Sequence, residues 1–269
     1  AFFMYSDSHL HSSFSSDSDT PMEEMIQTAI SKGLSSMCFT EHQDLDFPPG
    51  EFDFLVDMDA YQQTLSTLAK KYQEQIHIRF GIELGLQPQL GNQLSDFVNS
   101  YPFDFVIGSV HVVDRLDPYE SVFYENRSEK EAYLRYFTCL LENVKKYSCF
   151  DVCGHIDYVV RYGPNKNLYY SYQNYQEIID EILRVLVDKN IGLECNTGGF
   201  KYGLGHPNPT EEILKRYREL GGEIITLGSD AHVPQYIAYE FERAVDILKQ
   251  CGFSYYTVFE KRKPIFFPL

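Results

Sequence analysis

A chain of 269 residues with 43% hydrophobic and 23% charged side chains can bury a substantial core, which argues against disorder and allows one α/β barrel domain over residues 1–269. A formal charge of −16 argues against nonspecific binding to nucleic acid or to an anionic membrane, since both demand basic surface. The six cysteines form no CxxC pair and read as reduced, no basic region precedes the apolar residues 2–5, and no apolar run nears the ~20 residues that span a bilayer, so a soluble cytoplasmic protein is expected.

Short apolar runs alternate with helical patterns along the chain. A first strand over residues 2–6 leads to a loop carrying His9, His11 and Asp17. Thr20 then reads as an N-cap, Pro21 as the first helical residue and Glu23 as a capping-box partner, in a helix that runs to Lys32 and ends at Gly33. A strand over 36–40 reaches Glu41 and His42, and a long helix over 58–75 follows. The strand at 76–81 delivers Glu83, and the strand at 103–109 delivers His111. Beyond an irregular insertion ending at Arg127, Ser128 can cap a helix over 129–147. The strand at 150–153 delivers His155 and Asp157, and a helix over 172–189 leads to the strand at 191–195, which ends at Asn196. The loop 197–209, rich in Gly and Pro, holds Lys201 and His206, and Thr210 can cap a helix to Leu220. A strand at 223–227 delivers Asp230 and His232, and a last helix at 238–251 precedes 254–260, either a further strand or a closing extension.

This alternation implies a mostly parallel sheet. Six of the eight histidines (His9, His11, His42, His111, His155 and His232) lie just beyond apolar runs, among Asp17, Glu83 and Asp230. In a barrel, strand C-termini converge on one face, so residues scattered in sequence can meet there. The reading is a multinuclear metal site. Each signal has a bland alternative: His9-Leu10-His11 and Asp230-Ala231-His232 put two side chains on one side of a strand, yet either is equally an incidental polar turn. Glu83 lies between Ile82 and Leu84, where an unpaired charge is costly, and a buried salt bridge is its alternative. His111 and His155 singly fit hydrogen-bonded core histidines, His42 a helix start and Asp17 a cap. Nine such residues at repeated strand ends favour the metal reading. His77, at the start of its strand, belongs at the opposite end of the barrel and reads as structural.

The ordered set His9-x-His11, Asp17, Thr40-Glu41-His42, Glu83, Ser109-Val110-His111, Gly154-His155 and Gly228-Ser229-Asp230-Ala231-His232 resembles the polymerase and histidinol phosphatase (PHP) domain over nearly the whole chain. Chain length and Gly154-His155-Ile156-Asp157 resemble its histidinol-phosphatase branch. The resemblance implies a distorted (β/α)7 barrel of the TIM-like type and three divalent metals at the C-terminal ends of the strands. By carry-over, His9, His11, Glu83 and Asp230 would bind the first, Glu83, His111 and His155 the second, and Asp17, His42 and His232 the third. Mixed imidazole and carboxylate donors suit zinc, iron or manganese and leave the choice open.

The charge of the chain does not contradict an anionic substrate. Three divalent ions against the carboxylates of Asp17, Glu83 and Asp230 leave a local formal charge of about +3. The activity implied is metal-assisted hydrolysis of a phosphomonoester, L-histidinol phosphate, to L-histidinol and phosphate. Glu83, Asp230, His232 and Arg161 are the candidate catalytic residues, with Asp230 and His232 as alternatives for protonating the leaving alkoxide. Arg161 is either a phosphate clamp or a solvated arginine; Lys201, His206, Gln43 and Tyr124 are candidate substrate contacts, with loop solvation the alternative for Lys201. The cluster Tyr169-Tyr170-Ser171-Tyr172 reads as packing rather than a nucleic-acid platform, which would need basic neighbours. A phosphoesterase acting on nucleotides or nucleic-acid ends is the runner-up, and a noncatalytic metal-dependent module the reading from another class.

Overall fold

The computed structural model describes residues 5–269. Seven strands follow one another around a single sheet in chain order, each parallel to the next: β1 (Ser6–Leu10), β2 (Ser36–Gln43), β3 (His77–Gly85), β4 (Phe105–Ser109), β5 (Val152–Cys153), β6 (Gly192–Asn196) and β7 (Ile225–Gly228). Helices α1 (Met22–Ser31), α2 (Met58–Lys71), α3 (Gln93–Asn99), α4 (Glu129–Lys146), α5 (Gln176–Asp188), α6 (Gly198–Lys201), α7 (Glu211–Glu219) and α8 (Phe241–Gln250) lie between and after them. A parallel sheet clad in helices is buried on both faces, and every strand residue except His77 is buried. The ring closes where β1 meets the segment after β7: the His11 N–H donates to Ala231 O at 2.9 Å and the Asp230 N–H to His9 O at 2.8 Å. The expected distorted seven-stranded barrel is the fold observed, and closure occurs at the end where the histidines gather.

Local chemistry explains most elements. Ser128 Oγ accepts the Glu131 N–H at 3.1 Å and the Glu131 carboxylate accepts the Ser128 N–H at 3.0 Å, a reciprocal cap that starts α4 where expected. Tyr133, Tyr136, Phe137, Leu140 and Val144 recur at three- and four-residue spacing on its buried face. Among the described residues no helix is long and apolar enough to cross a membrane.

Several expectations are corrected. Residues 2–4 of the expected first strand lie outside the described residues, and β1 occupies the polar run Ser6–Leu10 instead, because its inward side chains face a polar pocket rather than a core. Thr20 is not the cap of α1: Pro21 stands there, no side chain bonds the helix end, and the Glu23 carboxylate accepts from Lys71 Nζ at 2.5 Å and Tyr72 OH at 2.6 Å. The second helix ends at Lys71 rather than 75, and α3 was not anticipated, being too short for its periodicity to register.

The segment after α8 forms β8 (Tyr255–Glu260), paired antiparallel with β9 (Lys263–Pro268) outside the barrel sheet. This hairpin stoppers the N-terminal end of the barrel. Phe259 stacks on Phe105 at 5.2 Å within a buried cluster that includes Cys38, Ile107 and Val152, Thr257 Oγ1 accepts the Ile225 N–H at 3.2 Å, and Arg262 Nε reaches Asp151 at 2.7 Å. His77 lies at this end, paired with Glu260 at 2.7 Å, as its position in the sequence implied.

Candidate metal centre

All nine expected ligand residues meet at the C-terminal mouth of the barrel. Glu83, near the end of β3, stands at the centre. Its Oε1 lies 3.1 Å from His9 Nε2, 3.3 Å from His11 Nε2 and 3.3 Å from His42 Nδ1; its Oε2 lies 3.1 Å from His155 Nε2 and 3.2 Å from His111 Nε2. Asp230 Oδ1 is 3.2 Å from His9 Nε2 and 3.4 Å from His11 Nε2. Asp17 Oδ2 lies 3.4 Å from His42 Nε2 and 3.2 Å from His232 Nε2. Seven of these groups are nearly removed from solvent; Asp17 and His232, at 25% and 22% side-chain exposure, form the open edge.

The outer nitrogens of the histidines decide what the inner ones can do. His9 Nδ1 bonds the Glu194 carboxylate, His111 Nδ1 lies 3.0 Å from Asp44 Oδ2, and His232 Nδ1 lies 2.9 Å from its neighbour's carbonyl, Asp230 O. Ser15 Oγ gives its proton to Glu41 Oε1 at 2.8 Å, so it accepts from His11 Nδ1 at 3.1 Å and from the His42 N–H at 3.0 Å. Each of these Nδ1 atoms faces an acceptor and carries a proton, which aims the Nε2 atoms inward, where a proton or a metal ion must hold them. His9 and His11 Nε2 approach to 3.2 Å, and His111 and His155 Nε2 to 3.3 Å. Lone pairs and carboxylate oxygens converging without protons repel one another in a buried site; divalent cations between them turn that repulsion into coordination. The donor set fits metal ions, and ligand atoms of His9, His11, Glu83 and Asp230 all lie within 4.8 Å of one another, as do those of His11, His42 and His232 and those of His42, Glu83 and His111.

The electrostatics agree. Burial pushes the Glu83 and Asp230 carboxyls up, but the surrounding histidines, His9 foremost, outweigh it and hold both well below the usual carboxylate range. Burial, reinforced by His232 and His42, pushes His11 down to about 4, so its imidazole is neutral and free to ligate. His9, His42, His111 and His232 run the other way: against burial, Asp230 foremost raises His9, Asp17 raises His42 and His232, and Asp44 raises His111, the mark of a negatively charged nest that holds protons where cations would sit.

The remaining candidates fall into two groups. Arg161 and Lys201 line a cavity of about 600 Å³, its open mouth included, together with seven of the nine cluster residues. Arg161 is buried, not solvated: Nε donates to Asn208 Oδ1 at 2.7 Å, Nη2 to Asn196 Oδ1 at 2.9 Å and Nη1 to Asp230 Oδ2 at 3.2 Å. Asn208 is braced in turn by Asp157 at 2.7 Å. Lys201 Nζ stands 4.5 Å over the ring of Tyr236. Gln43, Tyr124 and His206 do not line the cavity. Gln43 Oε1 accepts the Val56 N–H at 3.0 Å, Tyr124 OH donates to Pro118 O at 2.8 Å, and His206 Nδ1 donates to Pro207 O at 2.6 Å.

Sequence reasoning missed the residues behind the ligands. Glu194, on β6, bonds His9 Nδ1 with one oxygen and accepts the His155 N–H at 3.0 Å and Asn196 Nδ2 at 2.9 Å with the other. Gly228 is required beside it, since a Cβ there would stand 2.5 Å from His9 Cβ and 2.7 Å from Glu194 Oε2. Asp7 accepts the N–H groups of His9, Ser229 and Ala238, which ties β1 to the segment after β7, and burial pushes its carboxyl up to about 6.

A PHP domain model matches residues 7–198. The chain belongs to the PHP domain family. Among PHP proteins, it is 34% identical over 261 residues to the histidinol-phosphatase of Lactococcus lactis, covering 96% of this chain and 95% of that one, and 34% identical over 268 residues to a probable histidinol-phosphatase of Clostridium acetobutylicum, covering 98% and 97%. The crystal structure of the L. lactis histidinol phosphate phosphatase complexed with zinc, L-histidinol and phosphate superposes with a TM-score of 0.88 at 33% identity over 97% of this chain and 98% of that one. A putative histidinol phosphatase from Listeria monocytogenes shares the fold, with a TM-score of 0.78 at 21% identity over 88% of this chain and 99% of that one.

Proposed function

We propose that this PHP protein is a metal-dependent phosphomonoester hydrolase that converts L-histidinol phosphate to L-histidinol and phosphate. The carrying observation is the arrangement around Glu83, whose two oxygens face two separate sets of imidazole nitrogens. The substrate follows from the near full-length likeness to histidinol-phosphatases, one of which binds zinc, L-histidinol and phosphate. Three ions are proposed: one held by His9, His11, Glu83 and Asp230, one by Glu83, His111 and His155, and one by Asp17, His42 and His232. Zinc is the leading choice, with manganese and iron admitted by the same donors. When bound, such ions act as Lewis acids toward the phosphoryl group and lower the pKa of water.

The chain's own residues orient the ester. A guanidinium has five N–H donors, and the three partners of Arg161 leave one N–H free on each terminal nitrogen, a fork for two phosphoryl oxygens. Gly198 keeps that fork accessible, since a Cβ there would stand 2.9 Å from Nη2. Because Asn196, Asn208 and Asp230 fix the guanidinium before substrate arrives, little ordering remains to be done on binding. Lys201, less confined, adds positive charge at the rim.

Steady-state kinetics on L-histidinol phosphate against a panel of nucleotides and sugar phosphates, with protein of measured metal content, tests the assignment. Histidinol phosphate should have the highest kcat/KM. A strong preference for a nucleotide would overturn the substrate and leave the metal centre intact.

A further inference from the structure

The cavity mouth draws its opposite charges from different loops. Arg161 and Lys201 come from the segments after β5 and β6, whereas Asp117 comes from the insertion after β4, beside His111 and Asp44. Asp44 Oδ2 is committed to His111 Nδ1, and its Oδ1 lies 3.9 Å from His42 Nδ1, so this carboxylate belongs to the histidine cluster. Asp117 is half-buried, and its Oδ1 accepts the Tyr119 N–H at 2.9 Å, which fixes the carboxylate in its turn; Oδ2 has no hydrogen-bond or ion-pair partner among the described residues. A carboxylate partly withdrawn from water without a cation is unfavourable unless the cation arrives with a ligand.

The turn is also held at a set distance from the basic side. Tyr119 packs edge-on against Tyr162 at 5.2 Å, Tyr162 against Tyr202 at 5.5 Å, and the Tyr162 and Tyr202 hydroxyls lie 3.0 Å apart. This aromatic tie joins the Asp117 turn to the segments that carry Arg161 and Lys201. Resting on the function proposed above, we infer that Asp117 Oδ2 is the subsite for the substrate's primary ammonium group, so that the cavity selects phosphomonoesters bearing a cationic amine. The ester then lies across the mouth, phosphate toward Arg161 and amine toward Asp117. This also explains how so acidic a protein gains from a substrate of mixed charge.

The test compares Asp117→Asn and Asp117→Glu with the wild type on L-histidinol phosphate and on its analogue lacking the amine, alongside metal content per chain. In Asp117→Asn the ratio of kcat/KM for the amine-bearing over the amine-free ester should fall about ten- to a hundredfold, the range for a lost hydrogen bond to a charged group. Asp117→Glu should recover part of that ratio, and the metal content should match the wild type. A ratio unchanged in Asp117→Asn, while the wild type hydrolyses histidinol phosphate normally, overturns the subsite alone. Loss of metal from the variant also overturns it, by making Asp117 part of the metal centre. A wild type inert toward histidinol phosphate overturns the function and the subsite together.

Discussion

Replacing Glu194 by Gln tests whether the residue behind His9 sets metal affinity. The carboxylate accepts on both sides, from His9 Nδ1 through Oε2 and from the His155 N–H and Asn196 Nδ2 through Oε1. An amide has one oxygen and one NH2, so it can serve only one side. With its oxygen toward His155 and Asn196, the NH2 meets His9 Nδ1, and the imidazole must move its proton to Nε2, into the space shared with Glu83 and Asp230. With the oxygen toward His9, the NH2 faces two donors. Either way at least one buried, charge-assisted hydrogen bond is lost, at about 1.5–3 kcal/mol. At about 1.4 kcal/mol per tenfold, metal affinity should fall roughly 10- to 150-fold, consistent with the 10- to 100-fold typical of residues that orient metal-bound histidines. The effect should be greatest at the ion held by His9, smaller at the ion held by His155, whose N–H Glu194 also accepts, and absent at the Asp17, His42 and His232 set, which does not touch Glu194. Equilibrium dialysis against buffered zinc, with zinc per chain measured by elemental analysis, should show one site weakened by that amount and at least one near wild type. Wild-type affinity at every site would refute the reasoning, as would uniform loss from all sites.

Three further outcomes follow from the same geometry. Exhaustive chelation should abolish phosphatase turnover and lower Tm, with both restored by zinc or manganese; turnover that survives metal removal would sink the mechanism. Arg161→Ala strips partners from buried Asp230, Asn196 and Asn208, so it should destabilise the fold by about 3–5 kcal/mol and reduce kcat/KM for histidinol phosphate; unimpaired efficiency would exclude the clamp. Ser128→Ala removes the reciprocal cap of α4, outside the cavity lining, and should lower Tm by about 2–4 °C with kcat/KM unchanged; a kinetic effect would show that the start of α4, which accepts the Asn165 N–H through Glu129, helps to position the segment that carries Arg161.

The candidate ligands were legible because strand periodicity and topology leave few options. Two residues at i, i+2 past a strand face one way, and a barrel has one C-terminal mouth, so nine polar residues at six strand ends point to one place. The residues behind them were harder to see for a physical reason: they sit within strands, where a polar side chain looks like noise in a core pattern. One rule would have found Glu194. Glu83 stood out as a charge between apolar neighbours, and Glu194, between Leu193 and Cys195, satisfies the same condition. The misplacement of β1 has the same root, because a strand lining a polar pocket lacks the hydrophobic signature that located the others. Gln43 and Tyr124 were chosen by proximity in sequence to His42 and to the insertion, which carries no information about where a side chain points. Asp117 is accessible only from three dimensions, through a cavity that joins loops far apart in the chain.

The hairpin wedged against the far end of the barrel makes the metal centre a blind-ended vessel. With Phe259 and Phe105 closing the floor, the described residues leave water, ester, alcohol, phosphate and any ions one doorway, bounded by Asp17, His232, Arg161 and Lys201. Traffic through a single door is sequential: the products leave past the same residues that admitted the ester, and before any ion beneath them. Phosphate still seated also bars the exit of any ion beneath it, so metal exchange should slow as product accumulates. The stopper at one end thus makes the order of departures at the other a property of the architecture.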